Sequence, residues 1–280
     1  MVERIRHRLG GRSEALGLRD DAAVVGVPGG SGSLVVSVDS VVEGVHFSSR
    51  TPAHLIGRKA LARALSDIAA MGGVPTAVVI TLGLPPSESP RRLTAIYRGM
   101  EALARKHGVE LVGGETTRAA QLFLNVALLG ECRDGPPVLR SGARAGDLIF
   151  VTGQLGATQT RHHLTFEPRL AEGRWLARNR VATAMMDLSD GLGADLPRLG
   201  EASRLGYEID ANKLPRRRGA SIEAALNDGE DFELLFTVSP NRADWLKKKW
   251  PFATALHCIG MMRKGPASAF AHGFDHFKQR

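Results

Sequence analysis

Apolar residues recur along the chain in two rhythms, one suited to strands and one to helices. Residues 34–38 form a short apolar run that ends at Asp39, which predicts a strand with a carboxylate at its end. Over residues 53–71 the spacing changes. Leu55, Ile56, Leu61, Leu65, Ile68 and Met71 recur at helical intervals, Gly72-Gly73 supplies the stop, and Asp67 falls in the last turn. A strand over 77–84, a helix over 91–106 closed by Gly108, and strands over 109–112 and 122–129 complete a βαβαββ first half. This order predicts an α+β (mixed α/β) sheet covered by helices, with mixed strand pairing.

Around residues 130–146 the composition turns to Gly, Pro and Arg, and Asp134-Gly135-Pro136-Pro137 marks a hinge. A strand over 147–152, helical stretches over 168–200 and a strand over 232–238 follow it. A chain of 280 residues exceeds the usual single-domain size. Two α/β domains are therefore expected, at 1–138 and 139–280.

Charge and composition narrow the function classes. The formal charge is +8, from 37 Lys and Arg against 29 Asp and Glu, but the basic residues are scattered. Only Arg216-Arg217-Arg218 and Lys247-Lys248-Lys249 form runs, and these read as solvated surface, so no nucleic-acid partner is expected. Two distant cysteines, Cys132 and Cys258, suggest neither a metal site nor a disulfide framework. The amino terminus has no apolar signal-peptide region, and no apolar run approaches the roughly 20 residues of a membrane span. A soluble, cytoplasmic enzyme is expected.

Neither GxxxxGK[ST] nor a strand-borne GxGxxG occurs, which disfavours a P-loop or Rossmann site. What stands out is a set of carboxylates in apolar or glycine-rich surroundings. They are Asp20-Asp21 in RDDAAVV, Asp39 in VVSVDSVVEGVHF, Asp67 in LSDIAAMGG, Glu115 in LVGGETTR, Asp187 and Asp190 in MMDLSDGLGADL, and Glu230-Asp231 in NDGEDFELLF. Any one of them could simply cap a helix or mark a turn. Six together are harder to explain that way. Two unit charges about 4 Å apart repel by roughly 1 kcal/mol in water and about 4 kcal/mol at an effective dielectric of 20. A gathered cluster therefore needs divalent cations or raised pKa values. Hard oxygen ligands without His or Cys favour Mg²⁺, with a nucleoside triphosphate as its companion.

These segments, with KALARALSDIAAMGG and RSGARAGDLIFVTGQLG, stand in an order that resembles the thiamine-monophosphate kinase family. That family lies in the superfamily of aminoimidazole ribonucleotide synthetase and selenophosphate synthetase. The resemblance implies a two-domain fold whose amino-terminal sheet pairs across a homodimer, with ATP held between the domains and its γ-phosphoryl group passed to thiamine monophosphate. It implies several Mg²⁺ ions held by Asp21, Ser37, Asp39, Asp67, Glu115, Asp187 and Asp190, with the Val38 backbone carbonyl. Gly114, Arg140 and Ser189 would contact ATP, and His46 and Glu230 the acceptor. Ala271 stands where the family often has an aromatic residue for the acceptor ring. His46 beside Phe47 reads equally as a partly buried structural residue. A phosphate monoester is already anionic near pH 7, so no residue is assigned as a general base. The alternative is a same-scaffold ATP-dependent enzyme acting on a different phosphorylated small molecule.

Overall fold

A computed structural model describes residues 20–26 and 33–265. Among the described residues, ten strands form two five-stranded sheets. The first contains β1 (Ala23–Gly26), β2 (Ser33–Val42), β3 (Val74–Leu84), β4 (Glu110–Arg118) and β5 (Phe123–Cys132), in the spatial order β1-β2-β5-β3-β4. Only β3 and β4 run parallel; every other pair is antiparallel. The second contains β6 (Leu148–Thr152), β7 (Ala182–Asp187), β8 (Gly206–Ile209), β9 (Leu234–Val238) and β10 (Leu256–Arg263) in the order β7-β9-β6-β10-β8, antiparallel throughout. The mixed α/β class read from the pattern is thus the observed one.

Two long helices cover one face of the first sheet. Helix α1 (Ala53–Ala70) buries Ile56, Leu61, Leu65 and Ile68 completely and ends at Gly72, whose φ of 70° suits glycine. Helix α2 (Pro90–His107) starts with Pro at its first position and ends on left-handed Gly108. The two helices pack backbone to backbone. A Cβ on Gly57 would lie 1.9 Å from the Ile96 carbonyl oxygen, and one on Gly99 would lie 1.8 Å from that of His54. Gly57→Ala must push the helices apart, and should cost about 1–3 kcal/mol or more. A melting curve reads this directly, and an unchanged midpoint would refute the close crossing.

Helix α1 also touches the second half, packing on β7 and on α4 (Leu170–Arg178). One buried apolar cluster consequently runs from Leu65 and Ile68 to Phe150, Phe166 and Phe236. The remaining helices are α3 (His162–Thr165), α5 (Leu192–Ala202), α6 (Ile222–Asn227) and α7 (Pro240–Lys249). No helix among the described residues is long and apolar enough to cross a membrane.

Two expectations are corrected. The strand read as 109–112 continues to Arg118 through Gly113 and Gly114. Here glycine signals close approach instead of a turn, since a Cβ on Gly114 would meet the Ile80 carbonyl oxygen at 2.0 Å. The helical reading over 168–200 is broken by β7, because the short apolar run Ala182–Asp187 has no periodicity that separates a buried strand from a helix. Strands β1, β8 and β10 and helices α3, α6 and α7 were not marked by the pattern.

Candidate functional site

The site lies where the inner face of the first sheet, helix α1 and the edge of the second sheet meet. Within β2, odd-numbered residues face the helices. Val35, Ser37 and Val41 are buried there, while Val38 on the other face is 61% exposed. Asp39 shares the inner face. From α1, residues 59, 63 and 67 recur every four positions, so Lys59, Arg63 and Asp67 form one stripe aimed at this junction. Asp187 arrives at the end of β7, and Asp21 lies two residues before β1.

Asp21, Asp67 and Asp187 each place a carboxylate oxygen within 4.8 Å of the other two. Ser66 Oγ donates to Asp187 at 2.6 Å. Burial first, then the charges of Asp39, Asp187 and Asp21, pushes the Asp67 carboxyl well above the ordinary carboxylate range. Asp187 is pushed the same way by burial and by Asp21. A desolvated all-carboxylate set of this kind fits a hard divalent cation bound through oxygen.

Two arginines fork onto carboxylates here, Arg140 onto Asp21 of the trio and Arg63 onto Asp39 beside it. Arg140 holds Asp21 through Nη2 at 2.6 Å and Nε at 3.1 Å, and its backbone N–H donates to Asp20 at 2.8 Å. Arg63 holds Asp39 through Nε and Nη2, both at 3.0 Å, and reaches Glu230 with Nη1 at 3.2 Å. Arg63 also lies over the Phe232 ring, 5.6 Å from its centroid. Such paired N–H contacts are the strong, oriented form of a carboxylate ion pair.

Beyond Arg63 lies a second polar cluster. Lys59, fully buried, sets its Nζ 2.6 Å from Glu230 and donates to the His46 carbonyl oxygen at 2.6 Å. His163 Nδ1 lies 2.8 Å from Lys59 Nζ and 3.2 Å from Glu230. Burial alone would raise the Glu230 carboxyl, but the His163 hydrogen bond and the Lys59 and Arg63 charges overcome it and hold Glu230 at about 2. Burial lowers Lys59 to about 8 against the pull of Glu230. At pH 7 both sit on the charged side, so the pair is ionic.

The loop carrying Glu230 is strained. Glu230 and Phe232 have φ of 55° and 49°, a region that costs non-glycine residues about 1–3 kcal/mol each. Tertiary bonds hold it: Glu230 N–H donates to Ser189 O at 2.7 Å and Phe232 N–H to Leu188 O at 2.8 Å. Beneath it, Arg169 forks onto buried Glu233 with both contacts at 2.6 Å, and Arg217 pairs with buried Asp231. Two strained positions only one residue apart, in a loop at the junction, fit a side chain held for chemistry.

Of the other residues singled out from sequence, Ser37 donates to the Ala64 carbonyl at 3.2 Å, and His46 Nδ1 accepts from the Val42 N–H at 3.1 Å. Asp190 pairs with Arg198 at 2.6 Å, and its backbone N–H donates to buried Asp195. Gly114 and Glu115 lie on edge strand β4, where Glu115 pairs with Thr81 and is exposed on the open face. Glu115 is thus apart from the carboxylate trio. Ala271 lies outside the described residues. Sequence reading missed Lys59, Arg63, Ser66 and His163. For Lys59 and Arg63 a signal was present: cations eight and four positions before Asp67, on the same helical stripe.

The chain matches two family models, "AIR synthase related protein, N-terminal domain" over residues 19–132 and its C-terminal counterpart over residues 146–251. It is 38% identical to a thiamine-monophosphate kinase of Rhodopirellula baltica, covering 94% of this chain and 91% of that protein. A Bacillus subtilis protein of the same name is 33% identical, with 94% of each chain covered. The fold is similar to that of AaThiL complexed with AMPPCP and TMP, with a TM-score of 0.87, 28% identity, and 99% and 96% of the two chains covered. By sequence across nearly its whole length, the chain belongs to the thiamine-monophosphate kinase family.

Proposed function

We propose that this chain transfers the γ-phosphoryl group of ATP to the phosphate of thiamine monophosphate, giving thiamine diphosphate and ADP. The observation that carries this reading is the carboxylate trio of Asp21, Asp67 and Asp187, flanked by the forked arginines Arg140 and Arg63 and lying beside the Lys59–Glu230 cluster. The names of the relatives and the AMPPCP and TMP of the AaThiL complex support the choice of substrates.

Magnesium would be held by Asp21, Asp67 and Asp187 with Asp39 beside them, and by Ser37, the Val38 carbonyl and Asp190 on the same segments. When bound it supplies charge screening between two phosphate groups and fixes their oxygens. The chain's own residues do the rest. Arg140 is set to bind nucleotide phosphate together with Ser189 and the Gly114 backbone, in a cleft between the sheets that we divide at residues 138 and 139. Glu230 and His46, braced by Lys59, face the acceptor, and the acceptor phosphate needs no base because it is already ionised. The open face of the first sheet exposes Val25, Val38, Val79 and Leu129, an apolar surface suited to a second copy of this chain.

Incubation of purified protein with ATP, Mg²⁺ and thiamine monophosphate, with products identified by mass, should yield thiamine diphosphate and ADP. Asp39→Asn should cut turnover by more than about 100-fold, the upper range for disturbing a metal site's supporting shell. No product at saturating Mg²⁺ would sink the reading, and faster turnover of another phosphorylated heterocycle would transfer it to that acceptor.

A further inference from the structure

We propose that Arg63 is a substrate-binding residue for the acceptor phosphate, paired with Asp39 until a metal ion claims that carboxylate. This rests on the kinase reading above and adds a role that the acidic motifs do not specify.

Charge balance around Arg63 leads there. Lys59 and Arg63 face Asp39 and Glu230, two cations against two anions, all partly or wholly buried. Side-chain exposure is 0% for Lys59, 11% for Arg63, 22% for Asp39 and 17% for Glu230. The set is neutral as it stands. Once Asp39 serves a divalent cation, its charge no longer compensates Arg63, and a desolvated guanidinium requires another anion. The incoming anion is then the acceptor's phosphate.

Position selects the acceptor over the nucleotide. Arg140 holds Asp21 of the trio, and Arg63 reaches Glu230, beside Lys59 and the His46 carbonyl. The guanidinium is also built to stay in place. It lies over Phe232, which stacks on Phe166 with ring centroids 4.0 Å apart and an interplanar angle of 15°. A guanidinium carries five N–H donors, and the two carboxylates take three of them. A planar fork preorganised on a ring suits a tetrahedral phosphate better than a flexible ammonium would.

Two opposite effects follow from one substitution. In Arg63→Gln the acceptor loses a charge-assisted contact, so KM for thiamine monophosphate should rise about tenfold or more. KM for ATP should change by less than about threefold, because Arg140 is untouched. Asp39 meanwhile loses its competitor, so Mg²⁺ titrated alone into nucleotide-free protein should raise the melting temperature at a lower half-saturating concentration than in wild type. Arg63→Lys keeps a cation in the cavity and loses the fork; it should show the same rise in acceptor KM to a smaller degree, and it decides the matter should the Gln variant not fold. Equal changes in both KM values, or an unchanged acceptor KM, overturn the proposal. Failure of wild type to make thiamine diphosphate would instead overturn the kinase reading, while the Mg²⁺ titration would still report whether Arg63 and metal compete for Asp39.

Discussion

Asp67→Asn should raise the melting temperature of the metal-free protein while removing its stabilisation by magnesium. Asp67 sits among like charges. Its carboxyl is pushed up by burial and then by Asp39, Asp187 and Asp21, and Asp187 by burial and Asp21. An amide of the same shape removes one member of each repulsive pair, worth roughly 1–4 kcal/mol per pair at contact distance. For a chain of this size each kcal/mol moves the midpoint by about 2–4 °C. The pH dependence has a definite sign. A carboxyl whose folded-state pKa is raised contributes stability that is fully present below the unfolded value, near 4, and lost as pH rises through the raised one. Metal-free wild type should therefore melt lower at pH 8 than at pH 5, the Mg²⁺-induced shift should be larger at pH 8, and Asp67→Asn should flatten both trends. Scanning calorimetry with and without Mg²⁺ at the two pH values measures this. A variant that melts below wild type at pH 8, or keeps the full Mg²⁺ shift, would refute a repulsive centre.

The acids that make this centre were legible in the sequence because each breaks a local rule. Asp67 stands in an apolar stretch near the end of its helix, and Asp187 ends an apolar run, so both stood out as acids in apolar sequence. Helices α1 and α2 were legible for a related reason, since sustained 3.6-residue spacing and a glycine stop agree at each. Strand β7 was not, because six mostly apolar residues fit either a strand or a helix until β9 is there to pair with them. Strand β10 mixes Gly260 with half-buried residues and acquires its identity only between β6 and β8.

What neutralises the acids was less visible. Arg140 reaches Asp21 across 119 positions, Arg63 reaches Glu230 across 167, and His163 meets Lys59 across 104. No local pattern encodes pairings at such separations. The spacing of Lys59, Arg63 and Asp67 on one helical stripe was the trace the sequence carried, and it becomes meaningful once the strained loop at Glu230 is seen to sit over it.

Lys59→Met is the complementary case, expected to destabilise the fold by about 3–5 kcal/mol, the range for removing one partner of a buried ion pair. Lys59 is fully buried, and Glu230, His163 and the His46 carbonyl all lose its ammonium at once. Arg63 still touches Glu230, so the lower part of the range is the better expectation. The double variant Lys59→Met/Glu230→Gln no longer buries an unpaired charge and should recover most of the loss, which urea denaturation of the four proteins in a mutant cycle will show. Acid titration adds an independent reading. Glu230 is held at about 2, below its unfolded value near 4.3, so its contribution is present above that value and is lost as pH falls from there towards 2. The double variant should lose that part of the acid-induced fall in stability. If instead Lys59→Met costs less than about 1 kcal/mol, as is usual for a solvent-exposed pair, the ammonium is reaching water and the buried clamp on the Glu230 loop does not exist in solution.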